Sequence, residues 1–348
     1  MASRTIGSCS DPTIPLNRST HPTVTPPVPT VILSHALPPA DSPEMVEALS
    51  QLKLPYLRRW LAQSQPLHTV TCGAESLALP HELAQAESLG WPTDAQTLPW
   101  AAWAVSQTTC TAPTAIDDAD GAWAFITLCH WQVGNGQFTL TDPGPISEEE
   151  SQAVFESMRP YFEEDGIHLQ THRPGQWLAR SAHFEDLPSA SLERVMGLPI
   201  EPWLIGARQP RLSPSATLLR RLQNEMQMLL YQHPVNDRRP VPINSIWIEG
   251  CGRLMPAFRR HQNTEHSVVM LNSLRESWLL RDAQAWSRCW ETLDAEVLPS
   301  WLDAPGARVA WCGQRETRWW QHQAPRGWAR VRRLLKPVTP SEVLACDA

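Results

Sequence analysis

Apolar positions along this chain fall into short runs and helical stripes, separated by breaks rich in proline and glycine. Residues 30–33 form an apolar run suited to a buried strand, after which the chain turns at Ser34-His35-Ala36. Ser42, Pro43 and Glu44 open a helix that Pro55 closes off, and residues 56–61 form a second one. Residues 80–90 read as a helix stopped by Gly90, and the Trp/Pro-rich stretch to Pro113 reads as irregular with short helices. Two hairpins follow: residues 122–133 with 137–141, and 167–171 with 176–180 across Arg173-Pro174-Gly175. Between them, Ser147 and Glu150 form a capping-box pattern opening a helix expected to end near Pro160.

The clearest element spans residues 213–232, where Leu218, Leu219, Leu222, Met226, Leu229 and Leu230 form one apolar stripe. Residues 189–196 read as a short helix, 243–248, 267–271 and 308–312 as strands, and 282–298 and 327–335 as helices. Strands and helices alternate in the C-terminal half while hairpins fill the middle. This predicts an α/β fold, a mixed sheet flanked by helices with β-hairpin insertions. Residues 30–335 are expected to form one domain with a hairpin-rich middle over 120–182. A disordered Pro/Ser/Thr-rich tail is expected over 1–29 and a flexible tail over 336–348.

Composition narrows the function classes. The chain has 348 residues and a net charge of −7, with 29 basic against 36 acidic residues and no basic block. Phosphate contacts need a clustered cationic face, so nucleic acid is set aside as a partner. Lys53 and Lys336 are the only lysines, leaving 27 of the 29 basic residues as arginine. The 17 tryptophans are expected as core and interface filler, each buried indole N–H needing a partner. The eight cysteines are scattered single thiols. With no signal-like or membrane-length apolar run, this predicts a cytoplasmic protein.

Candidate chemistry concentrates where the long helix ends. His233-Pro234-Val235-Asn236-Asp237-Arg238-Arg239 leads into Pro242-Ile243-Asn244-Ser245-Ile246-Trp247-Ile248-Glu249-Gly250-Cys251-Gly252. A helix-to-strand connection carrying His, Asn and Arg, followed by a strand ending in Gly-x-Gly, is a place where α/β folds set ligand groups. His233, Asn236, Arg239, Asn244, Gly250 and Gly252 are the candidate binding residues, with Asn244 and Trp247 flanking a small pocket. The opposite reading is that His233 and Asn236 cap the helix and hold a turn, and the glycines serve chain geometry.

This segment resembles part of the archaeal-type cofactor-independent phosphoglycerate mutases, with Arg239 rather than Arg238 in the family register. Residues 222–231 with His233 to Asn236, together with Met158-Arg159-Pro160-Tyr161-Phe162, Cys129-His130-Trp131-Gln132-Val133 and residues 54–61, resemble the bacterial RpfE-type regulatory proteins. That second resemblance spreads from about residue 30 to 320. The mutase resemblance implies a core like that of alkaline phosphatase, two metal ions on Asp and His ligands, and a serine nucleophile. This chain departs from it: Ser34-His35-Ala36-Leu37 follows the first strand, and Asp41 is the first carboxylate after that strand.

The expectation is therefore a non-catalytic regulatory or binding protein, without metal or cofactor, whose partner is a small anionic ligand or another protein and not a membrane. Two alternatives stay open. One is an active mutase or phosphatase-like metalloenzyme using other ligands, for which His35, Asp41 and His130 are the early candidates. The other is a structural, partner-binding protein. His168 and His172 share helical zinc spacing but lie on an alternating, strand-like stretch. His261 with His266, Asp117-Asp118 with Asp120, and Glu163-Glu164-Asp165 read as solvated loops. The C-terminal arginines 315, 318, 326, 330, 332 and 333, interleaved with Trp319, Trp320 and Trp328, read as a solvated helix over core tryptophans.

Overall fold

The computed structural model describes residues 28–92, 97–109, 121–134, 136–255, 266–324, 335 and 337–346. Most of the expected N-terminal tail, the acidic stretch at 117–120, His261 and residues 327–334 lie outside them.

Two sheets organise the described residues. The first holds β1 (Val28–Leu33), β2 (Gln65–Thr71), β8 (His266–Leu271), β9 (Arg308–Cys312) and β10 (Glu316–Gln321), in the order β2-β10-β9-β1-β8. β1 runs parallel to both β8 and β9, while β10 and β2 are antiparallel additions. Because parallel strands are covered on both faces, β1 reads as an unbroken apolar run rather than an alternation. Val31 and Leu33 face one core, formed with α1 (Pro43–Gln51), α2 (Pro55–Ala62), α8 (Arg275–Leu279) and α9 (Ala283–Thr292). Ile32 faces the other, with Ala84 of α3 (Pro80–Ser88) and Trp319.

The second sheet comes from the stretch of chain between β2 and β8 and is antiparallel throughout. Its strands are β3 (Ala122–Gly134), β4 (Gln137–Thr141), β5 (His168–Arg173), β6 (Gln176–Arg180) and β7 (Ser245–Arg253). The two expected hairpins are β3–β4 and β5–β6. Alternation in β3 sorts its faces: Ala122, Ala124, Ile126 and Leu128 pack with α5 (Glu148–Glu164) and α7 (Pro214–Tyr231). Trp123 packs on the opposite side with Ala101, Ala102 and Val105 of α4 (Trp100–Thr109).

Several expectations need correction. α5 continues through Pro160 to Glu164, because Met158 and Phe162 are both fully buried in the core and the helix must run on to place them. Its capping box is as expected, with Ser147 and Glu150 bonded reciprocally. The C-terminal stretch expected as a solvated helix contains β10 instead. Glu316, Thr317, Trp319 and Trp320 are all buried, and a strand lying between β2 and β9 allows that. Within the expected C-terminal tail, residues 340–344 form a capped helix that buries Val343 and Leu344 in the first core. β2 and the full α4 helix were not foreseen. The helix expected over 282–298 is α9 followed by one π-helical turn, Leu293–Val297. No helix among the described residues is long and apolar enough to cross a membrane.

Candidate functional site

The six residues singled out from the sequence are positioned by α7, by the turn after it and by β7. Val235 N donates to His233 Nδ1 at 3.2 Å, which places the ring proton on Nε2, 3.0 Å from Ser157 Oγ. Burial holds this imidazole below its ordinary pKa. Asn236 bonds three times to backbone: Nδ2 donates to Leu230 O and Ile243 O, each at 2.9 Å, and Oδ1 accepts from Ile243 N at 2.8 Å. Arg239, its side chain 6% exposed, donates to Glu150 and to the carbonyls of Pro143, Pro145 and Val241. Asn244 pairs with both backbone groups of Trp131, at 2.7 and 2.9 Å, as a neighbouring strand residue would.

The two glycines answer to packing. Gly250 has φ +63°, and a Cβ there would lie 3.1 Å from Phe125, 3.2 Å from Ala101 N and 3.3 Å from Trp100. At Gly252 it would lie 3.1 Å from Pro99. The glycines thus let α4 approach β7 closely. The polar groups of the four side chains are engaged by named partners in the fold, and Trp247 donates to Ala190 O at 2.9 Å inside an apolar cluster.

Gly250 is also the one member of the six that lines a cavity of about 510 Å³ between the two sheets. Glu82 of α3, a helix packed on the first sheet, lines it, as do Trp100 of α4, packed on the second, and Ser189, Ser191, Trp203 and Arg208 of the connecting segments. Ser191 Oγ and Leu79 N both donate to Glu82 Oε2, at 2.9 and 2.6 Å. Burial nevertheless pushes the Glu82 carboxyl up to about 8 against these bonds. Arg194 and Arg208 each place a guanidinium 4.8 Å from the Trp203 ring centroid. Arg208 donates to the carbonyls of Pro202 and Glu75, and Arg194 to those of Ser76 and Ala74.

A second arrangement lies at the carboxyl end of the parallel strands. His35, the second residue past β1, has φ +58° and is 5% exposed. His81 stands in the first turn of α3, and Glu193 on α6 (Leu192–Val195). One ligand atom from each lies within 4.8 Å of the other two. His35 Nε2 is 3.2 Å from Glu193 Oε1, and Arg275 Nε is 3.0 Å from the other carboxylate oxygen. Burial first, then His81 and Arg275, push the His35 imidazole down to about 3, and burial lowers that of His81. Both rings are therefore neutral at physiological pH, the form that ligates metal.

His35 appeared among the early candidates, while Asp41 pairs with Arg281 and His130 Nδ1 contacts Pro242 O, both away from this group. His81 and Glu193 were missed; the one available signal was a histidine placed where the first strand ends. His168 and His172 lie on strand β5, so their spacing has no helical meaning. Among the described residues this is the one group of three His, Cys, Asp or Glu side chains whose ligand atoms lie within 4.8 Å of one another. Ser34 Oγ, beside it, donates to Asn272 Oδ1 at 2.8 Å.

No protein-family model matches this chain, and no curated protein matches it. Among solved structures it is similar to the PH0037 protein from Pyrococcus horikoshii, with a TM-score of 0.45 and 11% identity over 85% of this chain and 87% of that one. It is also similar to a cofactor-independent phosphoglycerate mutase from Thermoplasma acidophilum, with a TM-score of 0.35 and 13% identity over 85% and 90%. At these values neither likeness assigns the chain an activity.

Proposed function

We propose that this protein is a non-catalytic binding or regulatory protein that takes a small organic anion in the cavity between its two sheets. The observation that carries this reading is Arg208 on the cavity wall, stacked on Trp203 and held by carbonyl oxygens rather than by a carboxylate. Its charge is fixed in place yet left for a ligand. The cavity, at about 510 Å³, falls within the ~300–1,000 Å³ usual for small-molecule sites. Trp100 offers apolar surface, and Ser189 and Ser191 offer hydroxyls. The resemblance to RpfE-type regulatory proteins agrees with a regulatory role.

The test is a thermal-shift panel of small carboxylates and phosphate esters on wild type and Arg208→Ala, with calorimetry on any hit. At least one anion should raise the wild-type melting temperature and bind one per chain, and Arg208→Ala should lose it. No shift across the panel, or an equal shift in the variant, would sink this reading. A metal-assisted, mutase-like enzyme is the second reading, favoured by the His35, His81 and Glu193 arrangement. Conversion of 3-phosphoglycerate to 2-phosphoglycerate by zinc- or manganese-supplemented protein, lost in His35→Ala, would replace the first.

A further inference from the structure

We propose that His35, His81 and Glu193 form a mononuclear zinc site at the carboxyl end of β1. This goes beyond the ligand-binding reading and uses none of the same side chains. Zinc takes nitrogen and oxygen ligands at about 2.0–2.2 Å in tetrahedral array, which sets neighbouring ligand atoms about 3.3 Å apart. His35 Nε2 and Glu193 Oε1, at 3.2 Å, already meet that spacing. The third ligand atom, from His81, lies within 4.8 Å of both. Two imidazoles and one carboxylate select a borderline cation such as zinc over magnesium or calcium, which prefer all-oxygen shells.

A simple His–Glu hydrogen bond is the competing explanation, and the contact lacks the geometry for one. Glu193 Oε1 is buried and accepts no hydrogen bond, although His35 Nε2 is so close; His35 Nδ1 is buried without a partner as well. Leaving such groups unpaired is unfavourable, and a cation among them would partner the carboxylate oxygen. The surroundings hold the ligands in place. Arg275 takes Glu193 Oε2, which leaves Oε1 aimed at His35. Trp278 packs edge-on against the His35 ring with centroids 4.9 Å apart, and Trp286 Nε1 donates to His35 O at 3.1 Å.

The backbone makes the same point. His35 occupies the left-handed region, where glycine would cost nothing and a side chain is strained. Such strain collects where a side chain is needed at one spot. Three protein ligands leave the fourth tetrahedral position open, as in zinc sites that accept water or a ligand oxygen.

The test uses chelator-treated full-length protein, with zinc alone and with cobalt(II) as a spectroscopic substitute. Calorimetry should give one zinc per chain, and zinc should raise the melting temperature. Both effects should be lost in Glu193→Gln, which keeps the shape of the side chain, and in His81→Ala, with folding checked by cooperative melts. The wild-type cobalt(II) spectrum should show visible bands of four-coordinate nitrogen and oxygen ligation without thiolate charge transfer. Failure of the wild type to bind zinc would overturn the proposal. So would binding unchanged in a folded variant, or a thiolate band placing the metal on a cysteine.

Discussion

Arg239 and Glu150 join the turn after α7 to the first turn of α5, through Nη1 and Oε1 at 2.8 Å. Glu150 also closes the α5 capping box by accepting from Ser147 N, so one carboxylate serves a helix start and a distant arginine together. Arg239→Ala should therefore cost about 2–3 kcal/mol, because it strips partners from three carbonyls as well as from Glu150. Urea unfolding would measure this. A double-mutant cycle with Glu150→Gln should return a coupling of about 0.5–2 kcal/mol.

The same carboxylate has a pH signature. The Ser147 N–H, and then Arg239, hold the Glu150 pKa below its ordinary 4.5. As pH falls the unfolded chain takes the proton first, so this contribution is complete above about 4.5 and is lost as pH drops through the folded value. Melting temperature followed from pH 7 into the acid limb should fall less steeply in Glu150→Gln than in wild type.

Asn236 makes all three of its bonds to backbone groups flanking the turn. Asn236→Ala should destabilise by about 2–3 kcal/mol. Anion binding in the cavity should survive in the folded fraction of that variant, which calorimetry at low temperature can establish. A parallel loss of binding at unchanged stability would mean that the side chain touches ligand.

Gly250→Ala combines a φ of +63° with a Cβ only 3.2 Å from the Ala101 backbone nitrogen. A cost of about 1–3 kcal/mol is expected, by denaturant unfolding. Since Gly250 also lines the cavity, the variant should weaken any ligand that fills it.

How much of this was legible from residues alone depended on how local the cause was. α7 could be read because Ser213, Pro214 and the Leu/Met stripe all lie within its own span, and the α5 cap because Ser147 and Glu150 are three apart. β10 was misread because Trp319 and Trp320 are buried on opposite faces, which erases the alternation that marks a strand. Its place in the sheet depends on β9, just before it, and on β2, about 250 residues earlier. The Asn244 bonds to Trp131 were hidden for the same reason, since an asparagine carries no sign of which strand edge it will mimic. His35, His81 and Glu193 come from three elements with no shared spacing, so only the fold brings them together.

The placement of the second sheet bears on how the chain reaches its native state. Val28 pairs with His266, and Thr30 with Arg308, so β1 has no parallel neighbour until the last third of the polypeptide has been made. The antiparallel sheet between them contains two hairpins, β3–β4 and β5–β6, and such local contacts form quickly, whereas pairings over hundreds of residues form slowly. On the ribosome, the hairpins in the middle of the chain should consolidate first while β1 waits unpaired, with Val31, Ile32 and Leu33 uncovered. That interval exposes the nascent protein to aggregation and to capture by chaperones.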